Sequence, residues 1–354
     1  MSTAAGGTGR AWKPWGVVMA VLLVVAGLLH VWRNTNVLTE DRVCGGLVSA
    51  EQANGVLPGA GRIDAEGDGL GKELTDTVCR IEKSSVVLGS GEGALTLRVR
   101  AQQGMEILGV YGVSELPETS FFSGAVTGGV DDDLGWALLP EECWATQPVF
   151  VGISSTERIS DREAFAALTT DTARAIAAGE GCGDLPEKPE RLLPPRSDAP
   201  RPVSEGRVCG LGGLSVSGQV PEGVKVLEAG QKAPADLWSC KLTLDDDARD
   251  SVRAAGFMAY SASRDPLLIA AVKKTPGTSE GKAPDGRRAD LVGDSQMILP
   301  CAEGDALYLA VEAKAQYWEA RELSDLPPSA EYMAPFVKAA AETFGCAAPA
   351  PATG

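Results

Sequence analysis

Eight cysteines constrain this chain more than any other feature, because they fall into two near-copies of one four-cysteine frame. The first frame is Cys44, Cys79, Cys143 and Cys182, and the second is Cys209, Cys240, Cys301 and Cys346. Counted from the first cysteine of each, the offsets are 35, 99 and 138 against 31, 92 and 137. The flanking residues repeat as well. Arg42-Val43-Cys44-Gly45 returns as Arg207-Val208-Cys209-Gly210, and Leu138-Leu139-Pro140 returns as Ile298-Leu299-Pro300 ahead of the third cysteine. An even, duplicated set of this kind is the mark of a disulfide framework in an oxidising compartment. No Cys-x-x-Cys pair is present, and the single histidine, His30, lies far from every cysteine, so the spacing is not that of a zinc site.

Trp15 to Trp32 is a run of 18 mostly apolar residues without an acid or a base. At 1.5 Å per residue it measures roughly 27 Å, which predicts a transmembrane helix. Trp12, Trp15 and Trp32 mark its ends, and Arg10 and Lys13 precede it while Arg33 follows, which places the N-terminus in the cytoplasm. A cleaved signal peptide is the alternative. Against it, no small-residue cleavage site follows the run, and the expectation is an uncleaved signal-anchor. Gly16 and Ala20 form the one four-spaced small pair in the run, a weak helix-pairing signal. The partner implied is the lipid bilayer, reached through this one helix, and the localisation implied is the cell membrane, single-pass, with the C-terminal domains extracellular.

The chain carries −16, and because residues 1–33 hold three bases and no acid, the remainder carries −19. Such a surface repels nucleic acid and other polyanions and is compatible with cations and basic peptides.

Residues 183–206 hold six prolines in 24 and predict an extended linker of at most roughly 70 Å. This gives a cytoplasmic tail (1–14), a transmembrane helix (15–32), a juxtamembrane segment (33–42), a first unit (43–182), the linker (183–206), a second unit (207–346) and a disordered tail (347–354). Each unit reads alike. A short helix follows the first cysteine, N-capped by Ser49 in the first unit, although Gly212, Gly213, Gly218 and Pro221 interrupt the matching stretch of the second. A strand carries the second cysteine (77–88; 237–244). Leu95, Leu97 and Val99 alternate with Thr96, Arg98 and Arg100, as in a half-buried strand. Further strands cover 148–153 and 306–311. Amphipathic helices close the units, through Phe165, Leu168, Thr172 and Ile176 and through Tyr332, Phe336, Val337, Ala340 and Phe344, with Gly181 and Gly345 at the stops. The fold class expected is α+β: two tandem duplicated domains, each an antiparallel sheet packed with N- and C-terminal helices and two disulfides, preceded by one transmembrane helix.

Eight cysteines allow 105 connectivities, but bridges kept within units and paired alike in both leave three. First with second and third with fourth is favoured, since each bridge then ties a terminal element to a strand across a loop worth about 3–4 kcal/mol.

The chemistry-bearing residues point away from catalysis. Without a histidine beyond the apolar run, neither a Ser-His-Asp nor a Cys-His arrangement is available there, and bridged cysteines are not nucleophiles. A carboxylate-only mechanism would need two acids facing across a cleft. Asp64-Ala65-Glu66-Gly67-Asp68-Gly69 resembles the start of a calcium loop, but position three is Glu and position twelve is Thr75, so it reads as a polar, glycine-rich loop. Asp131-Asp132-Asp133 and Asp245-Asp246-Asp247 read as solvated turns, and Phe121-Phe122 and Tyr317-Trp318 as core residues before a ligand patch. No catalytic, cofactor-binding or metal site is assigned, and no cofactor is expected.

Cys44-Gly45-Gly46-Leu47-Val48-Ser49-Ala50-Glu51, followed by Val78-Cys79-Arg80, resembles the actinobacterial cell-envelope proteins, typically lipoproteins, that carry a cysteine-paired domain of unknown function. The resemblance covers the first unit and extends to the second through the duplication. This chain lacks their lipobox, and Ile81 and Leu242 stand where members often carry an aromatic. The resemblance implies fold and compartment and no activity. The function expected is a membrane-anchored extracytoplasmic binding or accessory protein that recognises an envelope protein, peptide or polymer; a sensor-like ectodomain acting through a membrane partner and a carboxylate-dependent envelope enzyme are the alternatives.

Overall fold

The computed structural model describes residues 13–34, 40–59, 61–67, 69–85, 89–107, 118–195, 200–216, 218–231 and 234–346. The expected cytoplasmic tail up to residue 12, most of the juxtamembrane segment, Asp68, the side chain of His30 and the tail 347–354 lie outside the described residues. The apolar run does form a helix, α1 (Lys13–Asn34). The membrane-spanning reading is nonetheless overturned: among the described residues no helix is long and apolar enough to cross a membrane. Apolar composition by itself does not make a span: a helix must be both long and apolar enough across a hydrocarbon core of roughly 30 Å. The single-pass membrane localisation inferred from that span falls with it. The disulfides are compatible with an extracellular location.

The repeated Arg-Val-Cys-Gly opens each unit with one device, a hairpin whose turn begins at cysteine. In the first unit β1 (Arg42–Val43) pairs with β2 (Val48–Ser49). Ser49 then caps α2 (Ala50–Val56), its side chain accepting from the Gln52 amide. Next come β3 (Arg62–Glu66), β4 (Val78–Ser85), β5 (Gly89–Ala101), α3 (Gly104–Ile107), β6 (Ser120–Phe122), β7 (Gly128–Val130), β8 (Leu134–Leu138) and β9 (Val149–Ser155). Helix α4 (Arg162–Glu180) closes the unit, with Asp161 as N-cap and Gly181 in the left-handed region at φ 64°. The acidic Asp64–Glu66 stretch is therefore strand and not loop, because it pairs with Arg80–Glu82 of β4.

The described residues of the linker are held against both units. Leu185, Leu192 and Leu193 pack against the first unit's core, and the Leu193 amide donates to the Phe121 carbonyl at 2.7 Å. It then enters the second sheet as β10 (Arg201–Pro202), where Arg201 meets the buried Glu228 at 2.9 Å. The second unit continues with β11 (Arg207–Val208), β12 (Leu211–Gly212), β13 (Lys225–Gly230), β14 (Leu237–Asp245), β15 (Met258–Ser263), α5 (Pro266–Lys273), β16 (Ser279–Lys282), β17 (Arg288–Leu291), β18 (Gln296–Pro300), β19 (Ala306–Ala313), α6 (Ala315–Leu323) and α7 (Met333–Thr343). Among the described residues no helix lies between Cys209 and β13. The β11–β12 hairpin turns on Cys209 and Gly210 alone, both at positive φ, as a two-residue turn requires.

Both sheets are antiparallel and share one order: β3-β4-β5-β9-β8-β7-β6 in the first unit, and β13-β14-β15-β19-β18-β17-β16 in the second, with β10 added at the edge. The bridges join Cys44 to Cys79, Cys143 to Cys182, Cys209 to Cys240 and Cys301 to Cys346. Even the tolerances are duplicated. Gly67 directly follows β3 and Gly230 ends β13, and a Cβ on either would lie about 3 Å from the backbone of the bridged Cys79 or Cys240. Helices α4 and α7 cover one face of each sheet. Gly135 directs its face at Phe165 and Thr169 of α4, and Phe336 of α7 stacks on Trp238 and meets Tyr260 at a tilt.

Candidate functional site

A strand's side chains alternate between faces, so the residues beside those that meet α4 and α7 point the other way. On the first sheet these include Trp136 and Leu138; on the second, Gln296, Ile298 and Pro300. Sequence reasoning gives this second face to solvent. In the structure the two units meet there, and Leu237, Leu268, Ile269, Ala271, Val272 and Tyr308 of the second unit join the first unit's core.

The elements that meet are equivalents. Helix α3 connects β5 to β6, and α5 connects β15 to β16. Their backbones touch: a Cβ on Gly104 would fall 2.1 Å from the Ala271 carbonyl, so only glycine fits at that point. The Met105 amide donates to Thr275 Oγ1 at 3.2 Å, and Gln296 Nε2 donates to the Met105 carbonyl at 3.3 Å. Gln231 bridges the units too, donating to the Thr119 carbonyl at 2.9 Å while its own Oε1 accepts from the Ser239 amide at 2.7 Å.

Helix α5 starts where Asp265 and Pro266 supply an N-cap and a preset first turn. Asp265 is buried. Its carboxylate accepts from the Leu268 amide at 2.8 Å, and the Thr127 hydroxyl of the first unit donates to it, 2.9 and 2.8 Å from its two oxygens. Burial raises its pKa above the ordinary carboxylate value, the hydrogen bonds from Leu268, Thr127 and Gly124 oppose that, and Asp236 adds to it. At the other end of α5, the Lys274 ammonium lies 5.5 Å from the centre of the Trp144 ring. The helix thus covers the first unit from Thr127 to Trp144.

The matching position of the second unit is open. The Leu138 amide donates to the Thr127 carbonyl at 2.8 Å, continuing the β7–β8 pairing, and Ile298 pairs with Asp290. Since Leu138-Leu139-Pro140 and Ile298-Leu299-Pro300 are the same repeat element, Thr127 and Asp290 occupy the same place. Around Asp290 lies a groove of about 390 Å³ bounded by Lys273, Glu280, Arg288, Ile298, Pro300, Asp305 and Ala306. Ile298 is its buried floor. Glu280 is paired with Arg288, and Asp305 with Arg264 at 2.5 Å. Among the described residues, no cation is paired with Asp290, which is half-buried.

The other candidates from sequence resolve into structure. Asp131 is buried and accepts from the Asp133 and Leu134 amides at 3.0 and 2.7 Å. Its carboxyl is pushed up to about 6, burial outweighing those amides, with Asp133 adding to the rise. Asp132 pairs with Arg162 at 2.6 Å, and Asp245 with Arg253 at 2.5 Å. Among the described residues no group of three or more His, Cys, Asp or Glu is gathered to hold a metal. Phe121, Phe122 and Tyr317 are buried, while Trp318 is 51% exposed. A shallower groove of about 500 Å³ lies by Cys346, where Arg287 is already spent on Asp285 at 2.6 Å and the Cys346 carbonyl at 2.9 Å.

Sequence reasoning missed α5 and with it this site. The Asp265-Pro266 start signal was present, but nothing in the sequence says which unit the helix covers. A scan of family models, a search of curated proteins and a search of solved structures each find no match to this chain.

Proposed function

We propose that this chain is a binding or accessory module, not an enzyme, and that it works through the open groove of its second unit in the extracytoplasmic, envelope setting its resemblance implies. The observation that carries the reading is the duplicated face: one copy buries a helix, and the other leaves a groove of about 390 Å³ around Asp290, within the size range of small-ligand and peptide sites. Four disulfides and a shared interface make the groove a rigid platform, which lowers the entropy lost on binding. Two acids of the groove, Glu280 and Asp305, are each held by an arginine, which disfavours a carboxylate mechanism that would need them free.

The test is affinity capture by the full chain from cell-envelope extract, compared between the native protein and Ala306→Trp, which fills the groove, with Asp290→Arg as a second block. A partner retained by the native chain and lost by both variants, with unchanged thermal unfolding, supports the reading. A partner retained equally by both variants overturns it.

A further inference from the structure

Resting on that reading of the groove, we propose that its ligand is a segment of a partner protein that presents one basic side chain, lysine or arginine, flanked by apolar residues. The argument starts from what the equivalent face already binds. In the first unit the occupant is a short apolar helix, and the sheet residue that meets its charged group is Thr127, a hydroxyl that donates to the Asp265 carboxylate. The platform there is read by apolar contact plus one polar contact of matched sign. In the second unit the floor is again apolar, through Ile298, Pro300 and Ala306, but the polar position is Asp290. A hydroxyl donor suits an anion, and a carboxylate suits a cation. The recognition rule is kept and its charge is inverted.

The electrostatics of the groove single out this one acid. Arg288 neutralises Glu280, and Arg264 neutralises Asp305. Asp290 is left half-buried beside apolar surface, where the effective dielectric is low and an incoming ammonium or guanidinium is worth more than on an open surface. Lys273, at the end of α5, stands on the rim and is placed to donate to a backbone carbonyl of the same segment. The chain's net charge of −16 draws a basic segment toward the protein as a whole.

The probe is a fluorescein-labelled, amidated peptide, Leu-Ala-Arg-Ala-Leu-Ala, titrated with the full chain and read by fluorescence anisotropy, beside the same peptide with citrulline or glutamate in place of arginine. Saturable binding by the arginine peptide is expected. It should weaken at least about tenfold for the citrulline peptide, for the Asp290→Asn variant and on raising salt, while Asp285→Asn, at the other groove, leaves it unchanged. Equal binding of all three peptides, equal binding by Asp290→Asn, or no saturation by about 5 mM protein and peptide overturns the proposal. If the peptide fails while Ala306→Trp still abolishes capture of an envelope partner, the groove reading stands and the basic ligand falls. If Ala306→Trp leaves capture intact, the groove itself falls.

Discussion

The two units share one sheet position and put it to opposite uses. At Thr127 the first unit lies beneath α5 and satisfies a buried carboxylate without adding charge. At Asp290 the second unit keeps a carboxylate beside apolar surface and leaves it uncovered. The difference teaches how a duplicated fold acquires an open site. Two copies that meet through equivalent connections need not cover equivalent surfaces, and a single side chain at the shared position decides which charge each surface accepts. Aspartate at position 127 would face the Asp265 carboxylate in a buried contact, and like charges there are costly.

That contrast can be broken directly. Thr127→Asp gives the first unit the second unit's residue and should have the largest effect, a loss of about 3–5 kcal/mol at neutral pH that shrinks on acidification. Urea unfolding measures it, and a loss under about 1 kcal/mol would mean that α5 does not depend on this contact. Gly104→Val attacks the same closure from the α3 side. Its Cβ would land 2.1 Å from the Ala271 carbonyl, so the helices must separate, at about 2–3 kcal/mol, read from the shift in thermal midpoint.

A pH experiment sharpens the comparison of a buried acid with an open one. Asp131 is held up to about 6 in the folded chain, above its ordinary value of 3.8. The folded state therefore binds this proton more tightly than the unfolded state, and the associated stability is gained as pH falls from about 6 toward about 4 and lost as pH rises through 6. The native chain minus Asp131→Asn should show that slope, about 1–3 kcal/mol in all, whereas Asp290→Asn should leave it in place. Parallel curves for native and Asp131→Asn would remove the assignment. The smallest effect belongs to Asp290→Thr, which turns the open position into the closed unit's residue. Stability should change by less than about 0.5 kcal/mol, while binding of the arginine peptide is lost.

Much of each unit is legible in the chain. Ser49 and Asp161 act as helix caps because their short polar side chains reach a free amide. Leu95, Leu97 and Val99 are buried against exposed Arg98 and Arg100 because strand periodicity is local. Other features depended on context. The proline-rich linker reads as extended because it lacks periodicity, yet three leucines along it pack against the first unit's core. Asp64–Glu66 looked like a loop because its residues are acidic, and became an edge strand because β4 offered hydrogen bonds. The apolar run at 15–32 had a composition suited to a membrane, yet among the described residues no helix is long and apolar enough to cross one. The groove was hidden for a different reason. Its walls come from residues 273 to 306, on a helix, four strands and a turn, and which of them face each other depends on register.

By itself the sequence determined the duplicated α+β units, the pairing favoured for the four disulfides and the positions of the closing helices. All of these follow from spacing, periodicity and caps, whose physics acts within a few residues or within one repeat. Tertiary structure alone decided that the units meet face to face, that α5 of the second closes the first, and that Asp290 is left open. Those outcomes rest on contacts such as Thr127 with Asp265, 138 residues apart. Two chemically similar copies leave such a choice undetermined until packing, burial and charge are settled for the whole chain at once.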